Sequence, residues 1–251
     1  AIFFNEFNRY KGKSERGQVF TPDHITSFMY RLIDVNQSDV VLDAACGSGA
    51  FLVKAMCNMI KEAGGVNTKK AKEIKSKQLY GIEFDREIYA LACANMLIHK
   101  DGKTNLEQLD TRKENAAEWI RQISVKLEGE NQIKGITKVL MNPPFERAYG
   151  CMSIVKTVLD SVPIGTKCAF ILPDKKLETE LQDKLYGNKV LKNHKVTTII
   201  KLPEKTFSGT TTSVFVFEAG KPQNKQNIIG YYIQEDGLET VKNQGRQDVK
   251  N

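Results

Sequence analysis

The chain has 251 residues, of which 41% are hydrophobic and 27% are charged, and its formal net charge is +7. This length can hold one large α/β domain or two small ones, and it is sufficient to bury a hydrophobic core. The composition excludes an intrinsically disordered chain, and the lack of an apolar run near about eighteen residues excludes a membrane-spanning helix.

The first sixteen residues include basic side chains but lack an initiator Met and the basic-then-apolar order of an export signal. We therefore interpret the sequence as part of a longer protein. The five cysteines form no CxxC pair, and only three histidines could join them as metal ligands. This pattern predicts a reduced, cytoplasmic protein without a metal site.

Strand and helix patterns alternate along the first part of the chain. A β-branched run, Asp39–Ala45, predicts a strand, and residues 49–65 then carry apolar side chains at helical spacing. Residues 78–85 repeat the strand pattern and residues 86–102 predict a second helix. The lysine-rich stretch 61–78 contributes much of the positive charge, which suits a polyanionic partner but is more typical of a solvated face.

Five more predicted strands follow, at residues 105–110, 136–142, 167–173, 196–203 and 211–220. A charged stretch, 175–191, predicts a helix before the sixth strand. The connection between the last two strands is too short for a crossover helix, so the last strand must run antiparallel. The sequence therefore predicts an α/β fold with a mainly parallel seven-stranded sheet, an antiparallel hairpin at one edge, and helices on both faces.

In such sheets, ligands bind beyond the carboxyl ends of the strands. The residues at these ends are 43–49, 83–85, Asp110 and 142–145. We therefore expect the functional site to be formed by these four groups.

Gly47 and Gly49 lie in the turn after the first predicted strand, where missing side chains allow a ligand to approach the backbone. A dinucleotide-binding loop requires a third glycine where this chain has Leu52, and no GK[ST] of a phosphate-binding loop follows. The turn, with Asp43 ahead of it, suits a ligand with an amino acid part and a nucleoside part but no phosphate. S-adenosylmethionine (SAM) is such a ligand.

Acidic residues at the next strand ends suit the nucleoside. Glu83 offers two acceptor oxygens for the ribose hydroxyls, and Asp110 can accept from the adenine amino group. The alternative is that the glycines only shape a turn and that Glu83, Asp85 and Asp110 are helix caps or surface acids. Their order at successive strand ends favours the ligand site.

Residues 142–145, Asn-Pro-Pro-Phe, follow the fourth predicted strand and could form an ordinary turn. In a second interpretation, the side-chain oxygen of Asn142 and the carbonyl of Pro143 accept both hydrogens of an aromatic amino group and direct its lone pair at an electrophile. Proline suits this role because it fixes φ and lacks an N–H donor. Phe145 then offers a face on which a flipped base can stack. An enzyme that attacks a ring carbon of cytosine needs a catalytic cysteine, typically after a proline, and no Pro-Cys pair occurs in the sequence.

Together these residues resemble the adenine-N6 type of amino-group DNA methyltransferases, and more narrowly the modification subunits of type I restriction-modification systems. The resemblance runs from about Gly17 to about Gly220. It includes the stretches "RGQVFTPDHITSFM", "LDAACGSGAFL", "YGIEFD" and "NPPF", although the family more often has Pro where this chain has Ala44. The resemblance implies the Rossmann-like fold of SAM-dependent methyltransferases, and methyl transfer from SAM to the N6 amino group of adenine in DNA.

The resemblance also implies roles for single residues. It places Phe20, Thr21 and Pro22 over the methionine end of SAM. The cofactor-binding residues it implies are Phe20, Thr21, Pro22, Asp43, Cys46, Gly47, Gly49, Glu83, Phe84 and Asp110, and the catalytic residues are Asn142, Pro143, Pro144 and Phe145. From the residues alone, we interpret Cys46 as a small side chain under the turn and not as a nucleophile.

We divide the chain into an extension (1–16), a catalytic domain (17–220) and a polar extension (221–251). The polar extension 221–251 is too short to hold a target-recognition domain. The resemblance therefore implies double-stranded DNA with a flipped adenine as substrate, with a separate specificity subunit and a restriction subunit as partners. A fused enzyme without its carboxyl-terminal half fits the same sequence.

Other functions remain open because Asn-Pro-Pro-aromatic also occurs in enzymes that methylate RNA or a protein glutamine. A domain that binds SAM or DNA without catalysis, as part of an assembly, is a third alternative. Among basic residues near strand ends, Arg147 is the first candidate to meet a DNA phosphate, ahead of Lys201 and Lys205. We interpret Trp119 as a packing residue in a helix.

Overall fold

The computed structural model describes residues 21–99, 105–129, 135–145, 150–174, 187–207, 209–241 and 245–247. The helices are α1 (Asp23–Leu32), α2 (Ala50–Glu62), α3 (Lys69–Lys77), α4 (Arg86–Ile98), α5 (Glu114–Gly129), α6 (Cys151–Ser161) and α7 (Gly187–Asn193). The strands are β1 (Val41–Asp43), β2 (Leu79–Glu83), β3 (Leu106–Gln108), β4 (Lys138–Met141), β5 (Lys167–Pro173), β6 (Lys195–Lys201), β7 (Thr212–Glu218), β8 (Ile229–Tyr232), β9 (Glu239–Val241) and β10 (Gly245–Gln247).

The main sheet has eight strands in the order β3, β2, β1, β4, β5, β7, β6, β8. The pairs among β1 to β5 are parallel, and β7 lies antiparallel between β5 and β6. All seven predicted strands are present, and β6 with β7 forms the predicted antiparallel hairpin. The mainly parallel α/β fold predicted from the sequence is therefore confirmed.

The sheet differs from the prediction at one edge, where β8 pairs in parallel with β6 and makes an eighth strand. All four residues of β8 are exposed. Backbone hydrogen bonds to β6 hold β8, so its sequence does not need the burial pattern of the other strands. This is why its short apolar run, interrupted by Gly230, gave no clear strand signal.

Helices cover both faces of the sheet, as predicted, and each face has its own hydrophobic core. One core joins α1 to α4 with strand residues such as Ala169 and Ile171, and the other joins α5 and α6 with Cys168 and Phe170. Alternate residues of β5 thus point to opposite cores, as expected for a strand that is buried on both faces.

The lysine-rich stretch forms α3, which Thr68 caps by accepting a hydrogen bond from the Ala71 N–H at 3.0 Å. Only Ala71 and Ile74 of α3 are buried, so most of this helix faces solvent, and its interpretation as a solvated face and not a binding patch stays a prediction. Of the predicted helix 175–191, residues 175–186 lie outside the described residues, and α7 begins at Gly187. Within the described ranges, no helix has the length and apolar character needed to cross a membrane.

Candidate active site

A cavity of about 370 Å³ opens at the carboxyl edge of the parallel strands. The predicted residues that line it are Thr21, Asp43, Cys46, Gly47, Glu83, Phe84, Asp110, Asn142 and Pro144. Because parallel strands end at the same edge, segments far apart in the sequence meet there. The glycine turn, the acidic residues and the Asn-Pro-Pro turn therefore face one space.

The glycine turn connects β1 to α2 with two residues at positive φ, 53° at Gly47 and 83° at Gly49. Gly49 precedes the first residue of α2, and its N–H donates to the Cys46 carbonyl at 2.8 Å. A Cβ added at Gly47 would meet nothing within 4 Å, so its backbone conformation, and not packing, requires glycine. The turn leaves backbone open toward the cavity.

Two carboxyl groups flank this turn, that of Asp43, which is buried, and that of Glu83, which is half-buried. Oδ1 of Asp43 accepts from the Ala45 N–H at 3.2 Å, while Glu83 accepts from the N–H groups of Gly47 at 3.0 Å and Asp85 at 2.8 Å. Burial raises the pKa of Asp43 well above its ordinary value, and the nearby charge of Glu83 adds to this effect. Burial also raises the pKa of Glu83, although backbone N–H groups oppose the shift. A cationic ligand beside these groups favours their ionised forms.

The third predicted acid, Asp110, is held by an arginine that we did not predict. Nε of Arg112 donates to Oδ1 of Asp110 and Nη2 donates to Oδ2, both at 2.7 Å. These hydrogen bonds lower the pKa of Asp110, although burial opposes the shift. The Arg112 guanidinium carbon also lies 5.6 Å from the centroid of the exposed Phe84 ring, within range of a cation–π interaction.

The Asn-Pro-Pro turn follows β4, whose last residue, Met141, is fully buried. Nδ2 of Asn142 donates to Oγ1 of Thr21 at 3.0 Å, so the amide oxygen is the atom of this side chain that accepts hydrogen bonds. Thr21 belongs to the segment that was predicted to close over the cofactor. The contact therefore joins the predicted catalytic and cofactor-binding segments.

Phe145 is half-buried and packs edge-on against Phe207, with ring centroids 5.7 Å apart and an interplanar angle of 87°. This geometry is a favourable aromatic arrangement. Phe207 lies in the segment between β6 and β7 and was not singled out from the sequence. The contact packs the edge of one ring against the face of the other beside the Asn142 turn.

Some predicted residues lie elsewhere. Pro22, Gly49, Pro143 and Phe145 are described but do not line the cavity, while Phe20 and Arg147 lie outside the described residues. Asp85 does line the cavity, and it also caps α4 by accepting from the N–H groups of Glu87 and Ile88, as the helix-cap alternative predicted. Trp119 lies in α5 and packs edge-on against Tyr80, as predicted for a packing residue.

Two of the basic candidates are described. Lys201 donates to Oδ2 of Asp174 at 2.5 Å, and Oγ of Ser213 donates to Oδ1 of the same carboxylate at 2.8 Å. Asp174 follows β5 directly, so this ion pair joins the ends of β5 and β6. Lys205 is exposed in the segment before Phe207. The sequence alone does not show which of these two lysines forms an ion pair and which is exposed to solvent.

Cys46 is buried beneath the turn, and burial raises the pKa of its thiol well above the ordinary value. A thiol that resists ionisation is a poor nucleophile. The cavity thus combines backbone at a glycine turn, carboxyl groups and an exposed aromatic ring. These features fit a cation with an amino acid part and a purine nucleoside part, as in SAM.

A family model described as N-6 DNA Methylase matches residues 2–158. The chain is 34% identical to the type II restriction enzyme and methyltransferase RM.BcgI of Heyndrickxia coagulans, over 97% of this chain and 38% of that protein. It is 25% identical to the type I restriction enzyme EcoEI methylase subunit of Escherichia coli, over 82% of this chain and 43% of that subunit. The chain thus spans less than half the length of either relative.

A solved structure of a putative class I SAM-dependent methyltransferase from Listeria monocytogenes has a TM-score of 0.63 with this chain at 18% identity, over 93% of this chain and 71% of that one. This likeness concerns the fold alone. It confirms the predicted SAM-dependent methyltransferase fold.

Proposed function

The chain belongs to the N-6 DNA methylase family, and from this premise we propose that it transfers a methyl group from SAM to the N6 amino group of adenine in DNA. The observation that carries the proposal is that Asn142 lines the same cavity as Asp43, Glu83 and Asp110. A hydrogen-bond acceptor for an amine and a set of acids for a cationic nucleoside thus face one space.

The proposed role of the Asn142 turn is to activate the amine. An exocyclic amino group is a poor nucleophile because its lone pair is delocalised into the purine ring. Oδ1 of Asn142 and the carbonyl oxygen of Pro143 each accept one N–H, which favours a pyramidal nitrogen with a localised lone pair. Bound SAM supplies an electrophilic methyl group on a sulfonium. The chain then contributes positioning and hydrogen bonding, without a covalent nucleophile.

The proposed base pocket includes Phe145, whose ring stacks on an adenine taken out of the duplex. Stacking on an aromatic side chain is worth about 1–3 kcal/mol per base. Phe207 supports this role because it holds the Phe145 ring from the side at 87°. A stacking ring with one fixed orientation loses little freedom when the base arrives.

For the cofactor, we propose that Glu83 binds the ribose hydroxyls, that Asp110 accepts from the adenine amino group and that Phe84 contacts the purine. Asp43 and the backbone around Gly47 face the amino acid part. The Glu83 carboxylate accepts from the backbone N–H groups of Gly47, Phe84 and Asp85, and a carboxylate has about four acceptor positions, so it can still accept from a ribose hydroxyl.

We propose that the chain is the modification part of a restriction-modification system that works in the cytoplasm. Its relatives represent two arrangements, a restriction enzyme and methyltransferase in one protein and a separate methylase subunit. Sequence recognition then comes either from another part of a longer chain or from a specificity subunit. The division at residues 17 and 220 stays a prediction.

Membership of the N-6 DNA methylase family favours DNA over RNA or a protein glutamine as the acceptor. A binding domain without catalysis does not require an amide acceptor in the cofactor cavity. The position of Asn142 therefore favours an enzyme over an assembly domain.

The Asn142→Ala variant tests the proposal. We expect methyl transfer from labelled SAM to DNA to fall by about 10²-fold or more, because loss of one preorganised hydrogen-bond partner has effects of this size. SAM binding, measured by calorimetry, should persist. The matched control is Asn227→Ala, because Asn227 is exposed in the segment before β8. Methyl transfer by this control should be unchanged.

The assay uses the intact protein with whichever recognition domain or specificity subunit accompanies it, because methyl transfer is measured on a defined DNA sequence. Normal transfer by Asn142→Ala would contradict the proposed role of the amide. Transfer to RNA or protein, and not to DNA, would contradict the proposed acceptor.

A further inference from the structure

Arg112 contacts two of the residues proposed to bind the purine of the cofactor. Its guanidinium holds both oxygens of Asp110 at 2.7 Å, and it lies 5.6 Å from the centroid of the Phe84 ring. All three side chains line the cavity. Neither the sequence patterns nor the family resemblance gave Arg112 a role.

The contact with Asp110 differs from an ordinary surface ion pair. The side chains of Arg112 and Asp110 are 29% and 14% exposed, whereas those of the Arg121 and Glu114 pair in α5 are 45% and 74% exposed. Exposed pairs contribute little because water screens them. A two-point Arg–carboxylate contact that is partly withdrawn from water is stronger and fixes the plane of the carboxylate.

The hydrogen bonds to Asp110 leave room for a ligand. Oδ1 accepts from both Nε and the backbone N–H of Arg112, the latter at 3.1 Å, while Oδ2 accepts from Nη2. A carboxylate has about four lone-pair sites. Among the contacts described, Oδ2 therefore retains one acceptor position, in a plane that Arg112 sets.

We propose that Arg112 is a positioning residue for cofactor recognition, which orients the Asp110 carboxylate to accept from a 6-amino purine and so makes the site reject a 6-oxo purine. The proposal rests on the proposed function, because it takes the nucleoside part of SAM as the ligand at this end of the cavity. Arg112 acts through Asp110 and is not itself a catalytic residue.

The chemistry of the two purines explains the discrimination. An ionised carboxylate only accepts hydrogen bonds, so it pairs with the N–H donor of a 6-amino group and faces repulsion from a 6-oxo group. Arg112 contributes by holding the plane of this carboxylate through its two hydrogen bonds, which sets the direction in which Oδ2 can accept from a 6-amino group. Sites built around such a hydrogen bond reject analogues that cannot make it.

Calorimetry of the intact protein that contains this chain tests the proposal without DNA or turnover. The two ligands are S-adenosylhomocysteine and S-inosylhomocysteine, which differ at position 6 of the purine and in the proton on N1. We expect the unmodified chain to prefer the 6-amino ligand. In Arg112→Ala, affinity for this ligand should fall by about tenfold, and its preference over the 6-oxo ligand should also fall by about tenfold, in line with the loss of charge-assisted hydrogen bonds.

Two further variants complete the design. Arg112→Lys keeps the charge but not the two-point contact, so it should lose part of the preference. Arg121→Ala removes the exposed pair in α5 and should leave both affinities unchanged. If Arg112→Ala does not fold, as judged by circular dichroism, Arg112→Lys decides, and an unchanged preference in that variant overturns the proposal.

The remaining outcomes separate the proposal from its rivals. Tighter binding of the 6-amino ligand by Arg112→Ala would mean that the arginine competes with the purine. An equal loss of affinity for both ligands would mean that it has only a structural role. Either result overturns the proposal while the proposed cofactor stands. If the unmodified chain binds neither ligand, the proposed function itself fails.

Discussion

Replacing Gly81 with alanine tests whether close packing around β2 positions the acids of the site. A Cβ at this residue would lie 2.4 Å from Cδ2 of Leu106 and 2.8 Å from Cδ1 of Leu52, and both leucines are buried. Gly81 also pairs with Asp43 in the sheet and lies two residues before Glu83. The new methyl group must displace packed side chains beside both acids.

Overpacking of this kind costs about 1–3 kcal/mol in the free energy of unfolding. For a domain of this size, the melting temperature should then fall by about 2–12 °C. Affinity for S-adenosylhomocysteine should fall as well, because a shift of β2 moves the Glu83 carboxylate relative to the glycine turn.

Thermal unfolding followed by circular dichroism measures the stability change, and calorimetry measures the affinity. Gly230→Ala in the exposed strand β8 is the matched control, because a Cβ there would meet nothing within 4 Å. Alanine at that position should be neutral or stabilising by up to about 1 kcal/mol, since it loses less conformational entropy than glycine. Equal melting temperatures for the two variants would refute the reasoning.

Two other perturbations have expected outcomes. Because burial raises the pKa of Asp43 and Glu83, SAM affinity should rise with pH by about tenfold per pH unit for each proton released, and level off above these raised pKa values. Calorimetry across pH should show a smaller slope for the Asp43→Asn variant. An unchanged slope would contradict this linkage between proton release and SAM binding. The second perturbation is His194→Ala, which removes a buried imidazole ring. Nε2 of this ring contacts Oδ1 of Asp160 at 2.8 Å, and its Nδ1 accepts from the Gly220 N–H at 2.9 Å. Urea unfolding should show a loss of about 1–3 kcal/mol, and a loss no larger than that of His99→Ala would contradict this assignment.

The position of the site could be predicted because parallel strands end at one edge of the sheet. Asp43, Glu83 and Asn142 come from the ends of β1, β2 and β4, and all three line the cavity. The residue types at those strand ends then limited the chemical class of ligand that the site could bind. This part of the prediction depended only on chain order and strand direction.

Contacts between side chains could not be predicted in the same way. Arg112 lies two residues after Asp110, but the sequence does not say whether its guanidinium turns to the carboxylate or to solvent. The contact of Phe145 with Phe207 depends on how the segment after β6 folds back toward β4. Such contacts follow from tertiary packing, which local patterns do not contain.

The edge of the sheet was the least predictable part of the fold. A strand buried on both faces needs a continuous apolar run, which β5 has, whereas an exposed edge strand needs only backbone partners. β8 is such a strand, and its apolar residues Ile229, Tyr231 and Tyr232 are exposed. From composition alone, this segment was therefore assigned to a polar extension.

The central claim is that the chain methylates adenine in DNA at N6. Methylation-aware sequencing of DNA from cells that carry the intact gene, compared with cells that carry its Asn142→Ala form, tests this claim most directly. N6-methyladenine at one defined sequence, present with the intact gene and absent with the variant, is the predicted result. Methylcytosine in its place, or the same adenine modification with both genes, would contradict the account.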